Sequence, residues 1–291
     1  MSRAVIGVVG GSGLYQMTGL QDVSENVIDT PYGRPSDVIV TGRLDGAEVA
    51  FLARHGRAHT LLPGEVPYRA NLWALKSLGA SYLVSVSAVG SLREEIRPLD
   101  VVLPDQFIDL TKRRGQTFFG DGAVAHVSLA DPVCPALAGV LRRACDAAGL
   151  PDGVHLHDGG TYVCIEGPGF STRAESQRYR AMGASVIGMT AMPEARLARE
   201  AQMAYALLAF ATDYDCWHPR EAAVTADSAI ANLRKNVSLA ERILKSAIPL
   251  IAAELPPSAA HHALASALVT PPEAMSPATR ARLSPLLKPG L

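Results

Sequence analysis

Seven short apolar runs punctuate the chain: VIGVV (5–9), AEVAFLA (47–53), SYLVSVS (81–87), VVLP (101–104), TYVCIE (161–166), SVIGM (185–189) and AYALLAFAT (204–212). Runs of this length, rich in β-branched residues, read as strands, and the continuously apolar ones as strands buried on both faces. Between them lie stretches with helical spacing. YRANLWALKSLGA (68–80) and PALAGVLRRACDAAGL (135–150) are apolar on one face and reach a glycine at their ends. Thr172 and Glu175 form a T-R-A-E capping box that predicts a helix through Met182. GMTAMPEARLARE (188–200) predicts a strand end followed by a helix with Pro193 in its first turn. Strands alternating with helices predict an α/β fold, a sheet with helices on both faces.

At 291 residues the chain fits one large α/β domain or two average ones, and no internal repeat or Ser/Gly linker splits it. The expected division is a body, 1–255, and a C-terminal tail, 256–291. The tail holds seven prolines in 36 residues and one short helical pattern, HHALASALV (261–269). It is too small for a core of its own, so it packs on the body, packs on a neighbouring subunit, or stays disordered.

Charge narrows the partners. With 27 basic and 28 acidic residues the net charge is −1, and the basic residues are scattered, which argues against nucleic acid or an anionic membrane as the target. An anionic ligand must be held by a few placed groups. The N-terminus lacks a signal-peptide pattern, and no apolar run approaches the ~20 residues of a membrane span. The cysteines (134, 145, 164, 216) show no CxxC and no zinc spacing. Reduced core cysteines in a cytoplasmic protein are the expectation.

Candidate chemistry sits where strands end. VVGGSGL (8–14) runs a strand into glycines, but a dinucleotide fingerprint would need glycine where Gln16 stands. What remains is a turn whose amides and Ser12 hydroxyl can converge on an anion, or a plain tight turn. ARHGRAH (53–59) places Arg54, a planar fork suited to phosphate, beside His55. VSVSAVGSLREEI (84–96) ends a strand in Ser87-Ala88. TYVCIEGPGFSTRAES turns through Gly-Pro-Gly and presents Phe170, suited to stacking on a flat ring or to the core, with Ser171; Glu166 is either a ligand contact or a structural acid. Met189 and Thr190 follow the next strand, as an apolar cover and a hydroxyl donor. Last, FATDYDCWH puts Asp213 and Asp215 at the end of a buried strand, where carboxylates are costly unless they hold something. Such a mouth suits a phosphate, a sugar and a nitrogenous ring.

Taken in order, GGSGL, ARHGRAH, LPGEVPYRANLWALK, SAVGSLREEI, DQFIDLT, IEGPGFSTRAES, GMTAMPE and ATDYDCW resemble the trimeric branch of the purine nucleoside phosphorylase family, and within it the S-methyl-5′-thioadenosine phosphorylases. The resemblance runs from about residue 5 to 250. It implies a mixed central β-sheet flanked by helices, a homotrimer, no metal or organic cofactor, and inorganic phosphate as co-substrate. It also implies that Ser12, Arg54, His55, Ser87, Ala88 and Thr190 hold phosphate and that Met189 lies against the ribose. Phe170 and Ser171 then flank the base, and Asp213 and Asp215 bind its N7 and 6-amino edge. His126 corresponds to a residue reaching the 5′-substituent of a neighbouring subunit's substrate. The family more often has Thr at the positions of Ser12 and Ser87, a larger residue at Gly169, and Thr or Ser at Ala191; the tail does not align clearly.

The expected reaction is phosphorolysis of S-methyl-5′-thioadenosine, in purine and methionine salvage. Cleaving an N-glycosidic bond builds negative charge on the leaving purine, which an acid at N7 neutralises. A carboxylic acid serves near pH 7 only if burial and a second carboxylate raise its pKa. Asp213 is the expected general acid, with Asp215 accepting from the 6-amino group or keeping Asp213 protonated. The alternatives are a phosphorylase of 6-oxopurine nucleosides or of another 5′-deoxy-5′-substituted adenosine and, outside enzymes, a nucleoside-sensing binding protein.

Overall fold

A computed structural model describes residues 5–11, 17–220 and 224–291. Four parallel strands form its spine: β1 (Val5–Gly10), β4 (Ala47–Ala53), β5 (Ala80–Ser91) and β11 (Ala204–Asp213). β1 lies between β4 and β5, and β5 pairs along its length with β11. Nearly every residue of these strands is buried, the pattern expected of strands covered on both faces.

Antiparallel pairs make the sheet mixed. β2 (Gln21–Asn26) and β3 (Ile39–Leu44) extend it beyond β4 as a meander. β6 (Val101–Leu103) lies antiparallel to β11 and carries β8 (Leu156–Asp158). β7 (Gln106–Asp109), β9 (Thr161–Cys164) and β10 (Val186–Gly188) form a parallel set. β10 pairs antiparallel with the last residues of β5, Gly90 and Ser91. The twelve-residue β5 is therefore the hub, and its C-terminal half reaches the strands that carry Phe170 and Thr190.

Two helical layers cover the sheet. α1 (Tyr68–Ser77) packs on α4 (Ala191–Glu200), and α2 (Pro135–Ala148) packs on α5 (Ala226–Glu254). α3 (Arg173–Ala181) begins at the expected capping box, with Thr172 accepting from the Glu175 amide and Glu175 reaching back to the Thr172 amide. Pro193 does sit in the first turn of α4, but Met192 before it is extended (φ −118°, ψ 134°), so the helix proper starts at the proline.

Residues from Pro256 on close against the body. Leu264, Met275, Leu283 and Leu286 belong to the main hydrophobic cluster with the spine strands. Trp73 Nε1 donates to the Arg282 carbonyl at 2.8 Å, Gln202 Nε2 donates to those of Leu286 and Lys288, and the Ser81 hydroxyl donates to that of Gly290. The HHALASALV segment is not a helix throughout: a 3₁₀ turn over Ala259–His262 passes into turns, with Ala260, Leu264 and Ala267 buried. A short α6 (Pro277–Leu283) follows.

Candidate active site

The carboxyl ends of the four parallel strands point the same way, and there a cavity of about 570 Å³ opens. That location and size are where an α/β sheet binds a small ligand. Arg54, His55, Ser87, Ala88, Thr190, Phe170, Ser171, Met189, Asp213 and Asp215 all line it. Ser12 lies outside the described residues; its neighbour Gly11 lines the same cavity. His126 does not line it and is solvent-exposed, its amide bonded to the Ala267 carbonyl at 2.8 Å.

One end of the cavity is suited to an oxyanion. Ser87 and Thr190 are brought together because β10 pairs with the end of β5, leaving their hydroxyl oxygens 3.3 Å apart. Arg54 follows β4 and is 2% exposed. Its Nε donates to Glu194 Oε2 at 2.8 Å; Nη2 lies 3.0 Å from Glu194 Oε1, 2.7 Å from Ser85 Oγ and 3.1 Å from the Val9 carbonyl; Nη1 donates to the Val86 carbonyl at 3.0 Å. The guanidinium's forked edge is thus engaged by Glu194, and one Nη1 proton is left for the cavity. Burial alone would lower the Arg54 pKa; the Glu194 carboxylate more than offsets it, so the group stays charged.

His55 is pulled down to about 4, mainly by burial, with the positive charge of Arg54 adding to the effect. Its Nδ1 lies 2.8 Å from the Leu61 carbonyl, which requires the proton on that nitrogen. Near neutral pH the ring is uncharged and Nε2 is an acceptor.

The other end is built by the turn after β11. The Asp215 amide donates to Asp213 Oδ1 at 2.8 Å, an Asx-type turn, and Asp215 itself has φ 51°, a left-handed conformation Asp tolerates. The one-residue spacing of the aspartates is what closes this turn, with Asp215 only 3% exposed. Gly90 lets the turn approach β5, since a Cβ there would sit 3.0 Å from Asp213 Oδ1. Thr212 Oγ1 is 2.6 Å from Asp213 Oδ2 and 3.2 Å from the Val89 carbonyl, and its single proton serves one of them. Burial raises the Asp213 pKa, the Thr212 and Asp215 hydrogen bonds oppose the rise, and the Asp215 charge adds to it, with a net upward shift. When Asp213 is protonated at Oδ2, the Thr212 hydroxyl turns to Val89.

Between these ends the walls are apolar, including Val86, Ile165, Ile187 and Phe210, while Phe170 is 46% exposed at the mouth. Glu166 is structural: it accepts from the Lys112 and Arg113 amides and from Arg114 Nε. Buried Arg114 also donates to the carbonyls of Met189 and Met192, fixing the turn that carries Thr190. Neither Arg114 nor Glu194 stands out in sequence, because their roles depend on partners tens of residues away. Asn236, on α5, is a further cavity residue, 3% exposed, whose Nδ2 has no hydrogen-bond partner among the described residues; a helix-borne asparagine gives no signal by pattern.

The model of the phosphorylase superfamily matches residues 5–249. The chain belongs to that superfamily. It is 56% identical over 284 residues to an S-methyl-5′-thioadenosine phosphorylase of Thermosynechococcus vestitus, covering 98% of both chains. It is 55% identical over 288 residues to one of Synechocystis, covering 99% of this chain and 88% of that one. A crystal structure of a methylthioadenosine phosphorylase from an antarctic soil metagenomic library superposes with a TM-score of 0.94 at 61% identity, over 99% of this chain and 100% of that one. The Schistosoma mansoni methylthioadenosine phosphorylase in complex with adenine superposes with a TM-score of 0.82 at 37% identity, over 87% and 93%.

Proposed function

We propose that the protein cleaves S-methyl-5′-thioadenosine with inorganic phosphate, yielding adenine and 5-methylthioribose 1-phosphate. It is then a pentosyltransferase of the purine nucleoside phosphorylase type. The observation that carries this is the pairing, within one cavity, of an oxyanion end (Arg54, Ser87, Thr190) with a buried carboxyl whose pKa is raised (Asp213). The similarity to named methylthioadenosine phosphorylases supports the same reading.

Phosphate oxygen attacks C1′ while the C1′–N9 electron pair passes to the purine. Arg54, Ser87, Thr190, the Ala88 backbone and Ser12 hold the phosphate, and His55 Nε2 accepts from its remaining hydroxyl; Met189 covers the ribose; Phe170 and Ser171 flank the base. Asp213 gives its proton to N7, and Asp215 accepts from the 6-amino group. No step calls for a metal or organic cofactor. The proposal extends to a cytoplasmic homotrimer in methionine and purine salvage. In it the exposed His126 reaches the neighbouring subunit's site, and that contact explains its separation from the cavity of its own chain.

The test is product analysis with and without phosphate. Adenine and a phosphorylated pentose are expected in equal amounts, and only with phosphate. Equal adenine release without phosphate would make the protein a hydrolase; no release at all would favour a sensor.

A further inference from the structure

Glu194 lies outside the cavity lining, 1% exposed, and touches no position a substrate would occupy. Yet it is the centre of a buried cluster. Oε1 accepts from Ser85 Oγ at 2.6 Å, Arg54 Nη2 at 3.0 Å and Tyr205 OH at 3.3 Å, while Oε2 accepts from Arg54 Nε at 2.8 Å. Ser85, itself fully buried, accepts in turn from Arg54 Nη2 at 2.7 Å. Two rigid elements set this contact: Arg54 leaves the end of β4, and Glu194 sits in the first turn of α4, directly after Thr190 and the Met192 break.

We propose that Glu194 is a positioning residue for phosphate: it holds the forked edge of Arg54 so that the guanidinium meets phosphate through a single Nη1 proton. A bidentate grip on phosphate, the expectation from the sequence, is not open to Arg54 while Glu194 engages Nε and Nη2. One donor in a fixed direction replaces two, and the Arg54–Glu194 pair carries no net charge. Two effects then oppose each other when Glu194 is neutralised. The site loses a nearby negative charge, which favours phosphate, and Arg54 loses the contact that aims it, which disfavours phosphate. Aim dominates, because a hydrogen bond weakens steeply with misdirection, whereas Glu194 is already compensated by the cation it binds.

The proposal rests on the reading of this cavity as the phosphate site, and the variants separate the two ideas. In Glu194→Gln, phosphate KM is expected to rise at least about tenfold, the scale of one charge-assisted hydrogen bond lost, while the methylthioadenosine KM stays within about twofold. Glu194→Asp, which keeps the charge one methylene shorter, is expected to fall between wild type and Glu194→Gln and serves where the latter folds poorly. A purely structural role would lower the active fraction, and so kcat, without separating the two KM values. If Arg54→Ala raises phosphate KM but Glu194→Gln leaves it unchanged or lowers it, the positioning role is overturned. If Arg54→Ala also leaves it unchanged, the phosphate site itself is misassigned.

Discussion

Asp213→Asn tests the base end of the cavity. Asparagine is nearly isosteric, so its Oδ1 keeps the hydrogen bond from the Asp215 amide. Its Nδ2 can donate to Thr212 Oγ1, whose proton then goes to the Val89 carbonyl already at 3.2 Å. The turn survives and the acid is lost. General acid catalysis contributes roughly 10²–10⁴-fold, and the amide retains some of this by hydrogen-bonding N7, so kcat/KM for methylthioadenosine is expected to fall by about 10². Adenine offers a donor at its 6-amino group where hypoxanthine offers an acceptor at O6. The carboxylate oxygen facing that edge leaves two buried acceptors unpaired with a 6-oxopurine, at roughly 1–3 kcal/mol, or about tenfold to a hundredfold. That oxygen belongs to Asp215, which Asp213→Asn leaves in place, so the rate on methylthioinosine should fall alongside that on methylthioadenosine and the preference for the 6-aminopurine should persist. The assay is initial rates on both nucleosides at saturating phosphate. Unchanged rates on both would refute the assignment.

Further outcomes follow from the same geometry. Because the Asp213 pKa is raised in the folded protein, wild-type kcat/KM should fall as pH rises through that pKa, and Asp213→Asn should lack this limb. The sign for stability is the same: a carboxyl with a raised folded pKa favours folding below its unfolded pKa, and that contribution is lost as pH rises through the folded pKa, so the melting-temperature gain of Asp213→Asn over wild type should grow with pH. Arg54→Ala strands the buried Glu194 carboxylate, at about 3–5 kcal/mol in denaturant unfolding, besides raising phosphate KM; a variant as stable as wild type would contradict the buried pair. Gly90→Ala pushes on Asp213 Oδ1 and on Ile187, each 3.0 Å from the added Cβ, and should lower nucleoside kcat/KM about tenfold while phosphate KM stays put. Truncation after residue 255 removes Leu264, Leu283 and Leu286 from the core and should unfold the chain, costing methylthioadenosine and adenosine activity alike; a truncated chain with wild-type melting would show the tail to be dispensable. Light scattering should give three times the 30.7 kDa chain; a fully active monomer would rule out a shared site.

What could be read from sequence, and what could not, divides by the range of the interaction. The spine strands announce themselves because burial on both faces leaves little but apolar residues, as in β4, which spans the same seven residues as its apolar run. The polar β2 was invisible: all but one of its residues are exposed, and an edge strand needs no apolar face. The 29-residue α5 buries a helical stripe, Leu239, Ile243, Leu244, Ala247 and Ile251, but Pro249 inside it breaks the pattern expected of one helix, and the polar Asn236 before the stripe gives no sign that it lines the cavity. Strand ends carrying hydroxyls, Arg54 and the aspartates could be found one motif at a time. That Glu194 takes the fork of Arg54 could not, since 140 residues separate them. The tail's proline content disguised apolar residues that complete the core rather than wall the cavity: none of residues 256–291 lines it.

The most direct measurement is wild-type kcat/KM for methylthioadenosine against methylthioinosine at saturating phosphate. A preference of about tenfold to a hundredfold for the 6-aminopurine is expected if Asp213 donates to N7 while Asp215 accepts from the amino group. Equal rates, or a preference for methylthioinosine, would contradict that use of the two aspartates.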